Sequence, residues 1–317
     1  MFEIVFLGTS ASAPSIYRGL PSAVVLAGEH RFLVDCGEGT QRQLLKSGIG
    51  FKKLNRILLT HAHLDHILGL GGLVSTFVRW EDIEDLEIYG GTSALNRVQA
   101  LLFGVVLYKQ NPPIPIHLID LEPGQIMSAK AFTVSAFPVE HRGSGNFGFV
   151  FQENTYRPFL VEKAEALNVP AGPERGQLVR GETVTLADGR IITPDMVVGE
   201  AVPGTKMVYV GDIARLEPIA EHVKDAHALV IESTFLEVEA DVAAAHGHIT
   251  AKQAAQFARD NGVKTLILTH ISRRYAEREV IAEARAVFPN TYVARDFDHY
   301  AVYRDKPVEK VDKSRDS

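Results

Sequence analysis

Four potential metal ligands lie close together after a short apolar run. His61, His63, Asp65 and His66 all fall within the sequence THAHLDH. Neutral imidazoles and carboxylates are the groups that zinc and related divalent cations bind. In an extended chain, side chains two residues apart point the same way, so His61 and His63 can bind one cation while Asp65 and His66 face another. A lone histidine at a strand end more often hydrogen-bonds a carbonyl, but four candidates in one segment favour a metal site.

Three more potential ligands follow β-like runs elsewhere in the chain. His141 ends FTVSAFPVEH, Asp212 ends KMVYVGD, and His270 ends TLILTH. A polar residue commonly ends a strand, so each of the three has an ordinary explanation when taken alone. Together with the HxHxDH segment they make seven candidates, which fits three protein ligands for each of two cations, one shared carboxylate and an open position for water. The sequence therefore predicts a dinuclear metal site.

The elements that would carry these ligands alternate between short β-rich runs and helical patterns. Early runs such as FEIVFLGT, AVVLAG and RFLVDCG follow one another closely, as in hairpins, whereas later runs alternate with helices. Several helical patterns begin at a threonine that is expected to be the N-cap, and Gly262 ends one of them. This mixture predicts an α/β fold in which two mixed sheets pack together with helices outside, an αββα sandwich.

The composition is that of an ordinary folded protein and disfavours several functional classes. Of 317 residues, 46% are apolar and 23% charged, and no segment approaches the ~20 apolar residues of a membrane helix. The N-terminal MFEIVFLGTS resembles no signal peptide, so we expect a cytoplasmic protein. Cys36 is the single cysteine, which excludes an internal disulfide and disfavours a thiolate metal site. The net charge of −6 argues against a general nucleic-acid binder.

One catalytic domain with an insertion is the expected organisation. Residues 1–305 carry the strand and helix patterns, but residues 151–204 interrupt them with Pro and Gly around short extended pieces. These residues are expected to form an insertion that protrudes from the domain. The last segment, residues 306–317, is polar and is expected to be a flexible tail.

Longer motifs indicate a family. FLGTSASAP, LVDCGEGTQRQLL, LTHAHLDH, GHITAKQAA and LTHISRRY together resemble the ribonuclease Z family of tRNA 3′-processing endonucleases in its bacterial long-arm form. That family belongs to the metallo-β-lactamase superfamily, whose fold is the αββα sandwich. The resemblance implies two zinc ions per subunit, with manganese or iron as alternatives. It assigns His61, His63 and His141 to one ion, Asp65, His66 and His270 to the other, and Asp212 to both.

The resemblance also implies how a phosphodiester would be cleaved. A zinc pair lowers the pKa of bound water to about 7, so the expected nucleophile is a hydroxide held between the ions, which Asp65 helps to orient. Glu232 in IEST and His248 in GHIT match a pair that protonates the departing 3′-oxygen. Without the resemblance His248 would be an ordinary neighbour of a helix cap, and His246 is a competing candidate. The chain departs from the family at Ile231, where a histidine usually precedes the glutamate.

The segment around GEGT has two interpretations. Asp35 and the glycines at 37 and 39 can hold hydrogen bonds to the ligating histidines. A turn before the next helix explains the same residues equally well. Cys36 is expected to contribute buried packing rather than chemistry.

Family members bind the tRNA elbow with a protruding arm, and residues 151–204 resemble that arm. Gly172 and Pro173 match its Gly-Pro motif. Acidic residues outnumber Lys and Arg in this segment, whereas a phosphate-binding arm should be basic. Either its arginines gather on one face or the arm binds RNA weakly. A dimer contact is the alternative role, and family members are homodimers in which the arm of one subunit serves the active site of its partner.

Residues near the last ligand are candidates for substrate binding. SRRY places Arg274 and Tyr275 just after His270, where they can contact phosphates, although a solvated helix start also explains them. Phe147 and Phe149 alternate along a strand, so one of them is expected in the core, and Phe149 is the candidate for stacking on an RNA base.

With the seven candidate ligands, the resemblance implies a zinc-dependent endoribonuclease that removes 3′ trailers from tRNA precursors and leaves a 3′-hydroxyl. The same dinuclear site would serve a phosphodiesterase or arylsulfatase that acts on small molecules. The intact ligand set disfavours an RNA-binding module without catalysis. A flavin-linked di-iron oxidoreductase of the same fold is disfavoured because such proteins place a glutamate where His63 stands.

Overall fold

The computed structural model describes residues 1–80 and 83–311. Its strands are, in chain order, β1 (Phe2–Gly8), β2 (Ser22–Ala27), β3 (His30–Val34), β4 (Arg56–Leu58), β5 (Leu86–Gly90), β6 (Ile116–Asp120), β7 (Gly124–Ser128), β8 (Phe132–Pro138), β9 (Phe147–Glu153), β10 (Val184–Thr185), β11 (Ile191–Ile192), β12 (Lys206–Tyr209), β13 (Ala228–Glu232), β14 (Leu266–Thr269), β15 (Thr291–Val293), β16 (His299–Val302) and β17 (Glu309–Lys310).

The α-helices are α1 (Thr40–Ser47), α2 (Leu64–Ile67), α3 (Leu70–Trp80), α4 (Thr92–Leu101), α5 (Val161–Ala166), α6 (Pro173–Val179), α7 (Pro194–Val197), α8 (Ala220–Val223), α9 (Ala240–His246), α10 (Ala251–Asp260) and α11 (Glu277–Arg285). A π-helical turn spans Leu102–Val106, and 3-10 helices span Glu217–Ile219 and Glu237–Glu239. Among the described residues, no helix has both the length and the apolar character needed to cross a membrane.

Two mixed sheets form the centre of the larger part of the chain. The first has eight strands in the order β17-β16-β1-β2-β3-β4-β5-β6, and the second has seven in the order β15-β14-β13-β12-β9-β8-β7. Strands β3 to β6 are parallel, as are β12 to β15, whereas β1, β2 and β3 pair in antiparallel fashion. The early strands therefore form hairpins and the later ones alternate with helices, as the sequence predicts.

Alternation along the strands builds three layers of packing. In β1, Phe2, Ile4 and Phe6 face a core between the sheets that also contains Phe149 of β9. The intervening residue Val5 faces the other way and packs with residues of the helices α1 and α3 because successive side chains of a strand point to opposite faces. The second sheet has an equivalent outer core against α10 and α11. The predicted αββα sandwich is confirmed.

Helix caps agree with the sequence patterns only in part. Thr250 is the N-cap of α10, where its hydroxyl accepts a hydrogen bond from the Gln253 N–H at 3.1 Å and Gln253 Oε1 accepts one from the Thr250 N–H at 3.0 Å. Gly262 follows the helix with φ of 68°. Helices α1 and α4 also begin at threonines, but their N-caps are Gly39 and Gly91, so the expected threonine caps are wrong there.

Residues 153–204 form a separate compact unit. It contains α5, α6, α7 and the hairpin β10–β11. Its own small core consists of buried apolar side chains, namely Ala164, Val169, Leu178, Val184, Leu186, Ile192, Val197 and Val198. The unit begins two residues after the predicted start at 151 because Phe151 and Gln152 pair with β12 as part of β9.

The C-terminal segment differs from the predicted flexible tail over residues 307–311. Strand β17 pairs with β16, and Lys310 Nζ lies 2.6 Å from Asp298 Oδ1. Val308 is buried in the core between the sheets, and its side chain anchors a segment that is otherwise mostly polar. The prediction is therefore wrong for these residues, and residues 312–317 lie outside the described part of the chain.

The parallel strands end at the edge where the candidate ligands are found. Strand β4 leads into the THAHLDH segment, β12 leads to Asp212, β13 ends at Glu232 and β14 leads to His270. The carboxyl ends of parallel strands are the usual place for a binding site in α/β proteins.

Candidate metal centre

The structure brings all seven predicted ligands together in two groups. His61, His63, His141 and Asp212 form one group, and Asp65, His66 and His270 form the other. Within each group the potential ligand atoms all lie within 4.8 Å of one another. The first group joins the loop after β4 to the loops after β8 and β12, and the second joins α2 to the loop after β14. Each group therefore gathers ligands from separate strands.

Asp212 presents one carboxylate oxygen to each group. Its Oδ2 lies 3.6 Å from His61 Nε2 and 3.7 Å from His141 Nε2. Its Oδ1 lies 3.6 Å from His66 Nε2 and 3.3 Å from His270 Nε2. Ligands at about 2.1 Å from a tetrahedral cation are separated from one another by about 3.4 Å. The spacing at Asp212 is that of a carboxylate shared between two cation sites.

Asp35 and Thr60 orient two of the histidines. The Thr60 hydroxyl donates to Asp35 Oδ2 at 2.8 Å, so it accepts from Nδ1 of His61, which lies 2.9 Å away. Nδ1 of His66 donates to Asp35 Oδ2 at 2.7 Å. Asp35 is fully buried and has a φ of 57°, a conformation that is uncommon for residues other than glycine. Asp35 therefore contacts His66 directly and His61 through the Thr60 hydroxyl, as the first interpretation of the GEGT segment expects.

Thr234 and Gly247 orient two further histidines, His270 and His141. The Thr234 hydroxyl donates to Glu232 Oε2 at 2.5 Å and therefore accepts from Nδ1 of His270 at 2.8 Å. Nδ1 of His141 donates to the Gly247 carbonyl at 2.7 Å. In each of these four histidines Nδ1 makes a hydrogen bond on the outer side of the site, so Nε2 faces the centre. Such outer hydrogen bonds set the tautomer and the ring orientation of metal ligands.

Several atoms at the centre are buried without a hydrogen-bond partner among the described residues. They are Nε2 of His61, His66 and His270 and Oδ1 of Asp212. A buried polar atom left without a partner costs about 1–3 kcal/mol. Because these unpartnered atoms are all metal-ligand types and converge on one region, the residues fit a pair of divalent cations.

Burial favours the neutral form of the first histidine group. Desolvation lowers the pKa of His61 well below its ordinary value, and the neighbouring His66 adds to this effect. Desolvation likewise lowers the pKa of His63 and of His141. Neutral imidazole is the form that binds a cation, so this group is ready to act as ligands at neutral pH.

Carboxylates around the second group attract positive charge. Burial lowers the pKa of His66, but the charges of Asp35 and Asp212 and the hydrogen bond to Asp35 outweigh burial and raise it to about 10. Burial raises the pKa of Asp65, but the hydrogen bond and charge of His270 and the charge of His66 bring it below the ordinary value. A proton and a metal cation compete for Nε2 of a histidine. The negative charges of the carboxylates that favour protonated His66 therefore also favour a bound cation.

Glu232 and His248 form a hydrogen-bonded pair beside the ligands. Nδ1 of His248 lies 2.9 Å from Glu232 Oε1 and 3.9 Å from Asp212 Oδ2. Glu232 is fully buried, and its Oε1 also accepts from the Ile213 N–H at 2.8 Å. Burial lowers the pKa of His248, but the charge and hydrogen bond of Glu232 outweigh burial and raise it. The competing candidate His246 is exposed and bonds the Val242 carbonyl instead.

A cavity of about 580 Å³ lies next to this pair. It is lined by Ala11, Ser12, Ala13, Thr234, Phe235, Val242, His246, His248, Ser272, Arg273 and Arg274. Of the predicted substrate-binding residues, Arg274 lines the cavity, and Tyr275 contacts Glu239 through its hydroxyl. The volume lies in the range of small-ligand sites.

Phe149 cannot stack on an RNA base. It is fully buried in the core between the sheets, and Phe147 is 7% exposed in the same core. Residues two apart in a strand share a face, so Phe147, Phe149 and Phe151 of β9 all point inward together. The expectation that one of the pair would leave the core is wrong for this reason.

The predicted arm residues lie in the 153–204 unit. Pro173 is the first residue of α6 and Gly172 is its N-cap, a position where the missing N–H of proline costs nothing. Arg175 donates to the carbonyls of Val169 and Pro170 at 3.0 and 3.1 Å. This sequence motif therefore has a local structural role in the unit.

The other arginines of this unit have acidic partners close by. Arg157, Arg180 and Arg190 lie 2.7, 2.9 and 2.7 Å from carboxylates. Those carboxylates belong to Asp195, Glu182 and Asp188. In this structure the charge of each of these arginines is offset by its own neighbour rather than shared with the other arginines.

Sequence reasoning missed three contacts of the site. Thr60 and Thr234 orient ligands as described above, and the Ser12 N–H donates to Asp65 Oδ2 at 3.1 Å. Thr234 belongs to the IEST motif and Ser12 to FLGTSASAP, so both lie inside quoted motifs. Their roles depend on which side chains meet across loops, and spacing along one segment does not reveal that.

Two family models match the chain. The model described as beta-lactamase superfamily domain matches residues 185–271. The model described as Anti-Pycsar protein Apyc1 matches residues 2–158.

The chain is also similar to individual proteins over nearly its whole length. It is 48% identical to a ribonuclease Z of Bradyrhizobium diazoefficiens, over 95% of this chain and 100% of that protein. It is 40% identical to a ribonuclease Z of Archaeoglobus fulgidus, over 94% of this chain and 96% of that protein. The crystal structure of the short form of human tRNase Z shares the fold, with a TM-score of 0.66 and 24% identity over 95% of this chain and 99% of that one. The chain belongs to the ribonuclease Z family of metal-dependent nucleases with the metallo-β-lactamase fold.

Proposed function

We propose that this protein is an endoribonuclease that removes the 3′ trailer from tRNA precursors and leaves a 3′-hydroxyl on the tRNA. The observation that carries the proposal is the position of Asp212 between two histidine groups, with the Glu232–His248 pair beside it. Similarity to ribonuclease Z proteins over nearly the whole chain supports the same substrate.

The cofactor in this proposal is a pair of zinc ions per subunit, with manganese or iron as alternatives that the same ligands accept. His61, His63 and His141 would hold one ion, Asp65, His66 and His270 the other, and Asp212 both. When bound, such a pair lowers the pKa of coordinated water and neutralises charge on the reacting phosphate. The buried Nε2 atoms that face the centre support this assignment.

Asp65 has a second role in the proposal. Its Oδ2 accepts the Ser12 N–H at 3.1 Å and lies 3.7 Å from His270 Nε2. These contacts fix the carboxylate at the edge of the site, where it can accept a hydrogen bond from the attacking water and so orient it.

His248 donates the proton that the departing 3′-oxygen requires. Glu232 accepts the Nδ1 hydrogen of His248, so Nε2 is the nitrogen that can carry a proton to substrate. Glu232 itself is held by the Ile213 N–H and the Thr234 hydroxyl. A carboxylate fixed in this way holds the imidazole in one orientation and stabilises its charged form.

The proposal also covers the role of residues 153–204, the oligomeric state and the cellular location of the enzyme. Residues 153–204 would contact the body of the tRNA through the region of Gly172 and Pro173, and the enzyme would act as a cytoplasmic homodimer. The compact fold of this unit supports a role as a recognition module. Because three of its four arginines are paired with carboxylates, shape rather than net positive charge would determine its binding.

One experiment tests the proposal directly. Purified protein of known metal content is incubated with a 3′-extended precursor tRNA, beside the His63→Ala variant, and the cut is mapped. We expect a single cut at the tRNA 3′ end, a 3′-hydroxyl product, about two metals per subunit as a dinuclear site requires, and an inactive variant. A metal-loaded protein that leaves the precursor intact would contradict it.

A small-molecule phosphodiesterase or arylsulfatase is the second candidate. The observation in its favour is that three of the four arginines in the 153–204 unit are paired with carboxylates, because a surface that binds RNA usually offers free positive charge. Turnover of a small phosphodiester measured beside the precursor tRNA separates the two candidates. Efficient hydrolysis of the small ester alone would favour the second.

A further inference from the structure

Glu239 connects two segments of the cavity wall beside His248. It lies at the end of the 3-10 helix Glu237–Glu239, between Phe235 and α9. Its Oε1 accepts from Arg274 Nη1 at 3.0 Å, and its other carboxylate oxygen accepts from the Tyr275 hydroxyl. One carboxylate therefore holds two consecutive side chains of the loop that follows the ligand His270.

Arg274 is held between this carboxylate and an aromatic ring. Its guanidinium carbon lies 5.8 Å from the centre of the Phe235 ring, a distance typical of a cation–π contact. A guanidinium carries five N–H groups in a planar fork, and the bond to Glu239 uses its Nη1 end. The fork can therefore bind Glu239 on one edge and a phosphate on another.

The position of Arg274 suits a phosphate of the substrate. Arg274 and His248 line the same cavity, and Arg274 follows the ligand His270 by four residues in the chain. A phosphate next to the scissile bond would therefore lie within the region that these side chains surround. A long, flexible side chain loses much conformational freedom when it binds, so contacts that hold it in place beforehand favour binding.

We propose that Glu239 is a positioning residue that acts through Arg274 and holds its guanidinium at the cavity for a phosphate of the RNA beside the scissile bond. Tyr275 secures the carboxylate of Glu239 in this arrangement. The inference rests on the proposed function because it takes the precursor RNA as the ligand of the cavity.

The ion pair between Arg274 and Glu239 is expected to contribute little to the stability of the fold. The side chains of Arg274 and Glu239 are 58% and 32% exposed, and ion pairs on the surface usually contribute little to stability. Substitution of Glu239 should therefore leave the protein folded. Its effect should appear in substrate binding rather than in the thermal midpoint.

The test is the kinetics of precursor tRNA cleavage by Glu239→Ala and Glu239→Gln holoenzymes. We expect Glu239→Ala to raise KM about tenfold, the effect of losing a hydrogen bond to a charged group, with little change in kcat. Glu239→Gln keeps one oxygen that can accept from Arg274, while its NH2 group replaces the oxygen that accepts from Tyr275, so it should restore part of the loss. Asp241→Ala removes the same charge from the start of α9 and should retain the KM of the parent protein.

A double substitution determines whether Glu239 acts through Arg274. Arg274→Ala should raise KM by at least as much as Glu239→Ala, and adding Glu239→Ala to it should change KM no further. An unchanged or lower KM in Glu239→Ala, or effects of the two substitutions that multiply, would overturn the inference. Failure of the parent protein to cleave the precursor would instead overturn the proposed function.

Discussion

The hydroxyl of Thr234 accepts a hydrogen bond from Nδ1 of His270 at 2.8 Å. The same hydroxyl donates to Glu232 Oε2 at 2.5 Å, so one side chain links a candidate metal ligand to the Glu232–His248 pair. The hydroxyl of Thr234 therefore helps to set both the orientation of His270 and, together with the Ile213 N–H, the position of Glu232.

Removal of this hydroxyl should weaken metal binding. Thr234→Val keeps the shape of the side chain but cannot accept from His270, and loss of such an outer contact typically costs about 10–100-fold in metal affinity. We expect Thr234→Val to lose zinc at lower chelator concentrations than the parent, as measured by competition with a chromogenic chelator. Thr234→Ser keeps the hydroxyl and should bind metal like the parent. Equal affinities in all three proteins would contradict the role of Thr234.

Asp212 should matter more for the metal content than any single histidine because it faces both groups. Asp212→Ala is expected to reduce the content of both sites and to lower activity by about 10³-fold or more, since metal chemistry supplies several kcal/mol of transition-state stabilisation. Elemental analysis of the purified variant gives the content. His63→Ala alters one group only and should keep part of the metal.

Chelation of the parent protein provides the control. A chelator should abolish activity, and added zinc, manganese or iron should restore it to different extents, which identifies the preferred cation. Activity that persists in metal-free protein would contradict a metal-dependent mechanism.

His248→Ala should lower kcat by about 10²–10⁴-fold, the usual contribution of a positioned acid or base, with the metal content unchanged. The comparison that isolates its role uses a nitrophenyl phosphodiester, whose leaving group departs without a proton. This ester should be hydrolysed at a similar rate by the variant and the parent. Equal losses on the ester and on precursor tRNA would mean that His248 acts on the metal site rather than on the leaving group.

Phe149→Ala should unfold the protein more easily without a specific effect on RNA binding. The ring is fully buried between the sheets, and truncation of a buried phenylalanine typically costs about 3–5 kcal/mol. Denaturant unfolding of the metal-loaded protein measures this loss. A stable Phe149→Ala variant with a raised KM would restore the stacking role that the core position excludes.

The convergence of the seven candidate ligands could be predicted from the sequence because they follow apolar strands, and parallel strands end at one edge of a sheet. The outer partners could not be predicted in the same way. Thr234 and Glu239 act through side chains that meet across separate loops, which local patterns do not specify. The error at Phe149 had a different cause, since alternation in a strand puts Phe147 and Phe149 on one face. Val308 was missed because the two valines of this polar segment, Val308 and Val311, are too few to give a periodic pattern.

Replacement of residues 153–204 by a short turn should separate recognition from chemistry. Gln152 and Lys206 are directly paired across β9 and β12, so a tight hairpin turn can join them without moving either strand. We expect the shortened protein to keep its metal content and its hydrolysis of a nitrophenyl phosphodiester. Its KM for precursor tRNA should rise by at least about tenfold, which corresponds to the loss of about 1.4 kcal/mol of contacts.

The salt dependence of KM in this shortened protein tests how the unit binds. The arginines at 157, 180 and 190 already have carboxylate partners. Deletion of the unit that contains them should therefore remove few contacts with RNA phosphates. The slope of log KM against log salt concentration should therefore change little, whereas each lost phosphate contact would reduce it by about 0.7–0.9. A marked loss of slope would show that these arginines exchange their carboxylates for RNA phosphates. An unchanged KM for precursor tRNA would remove the unit from substrate recognition and leave a dimer contact as its remaining proposed role.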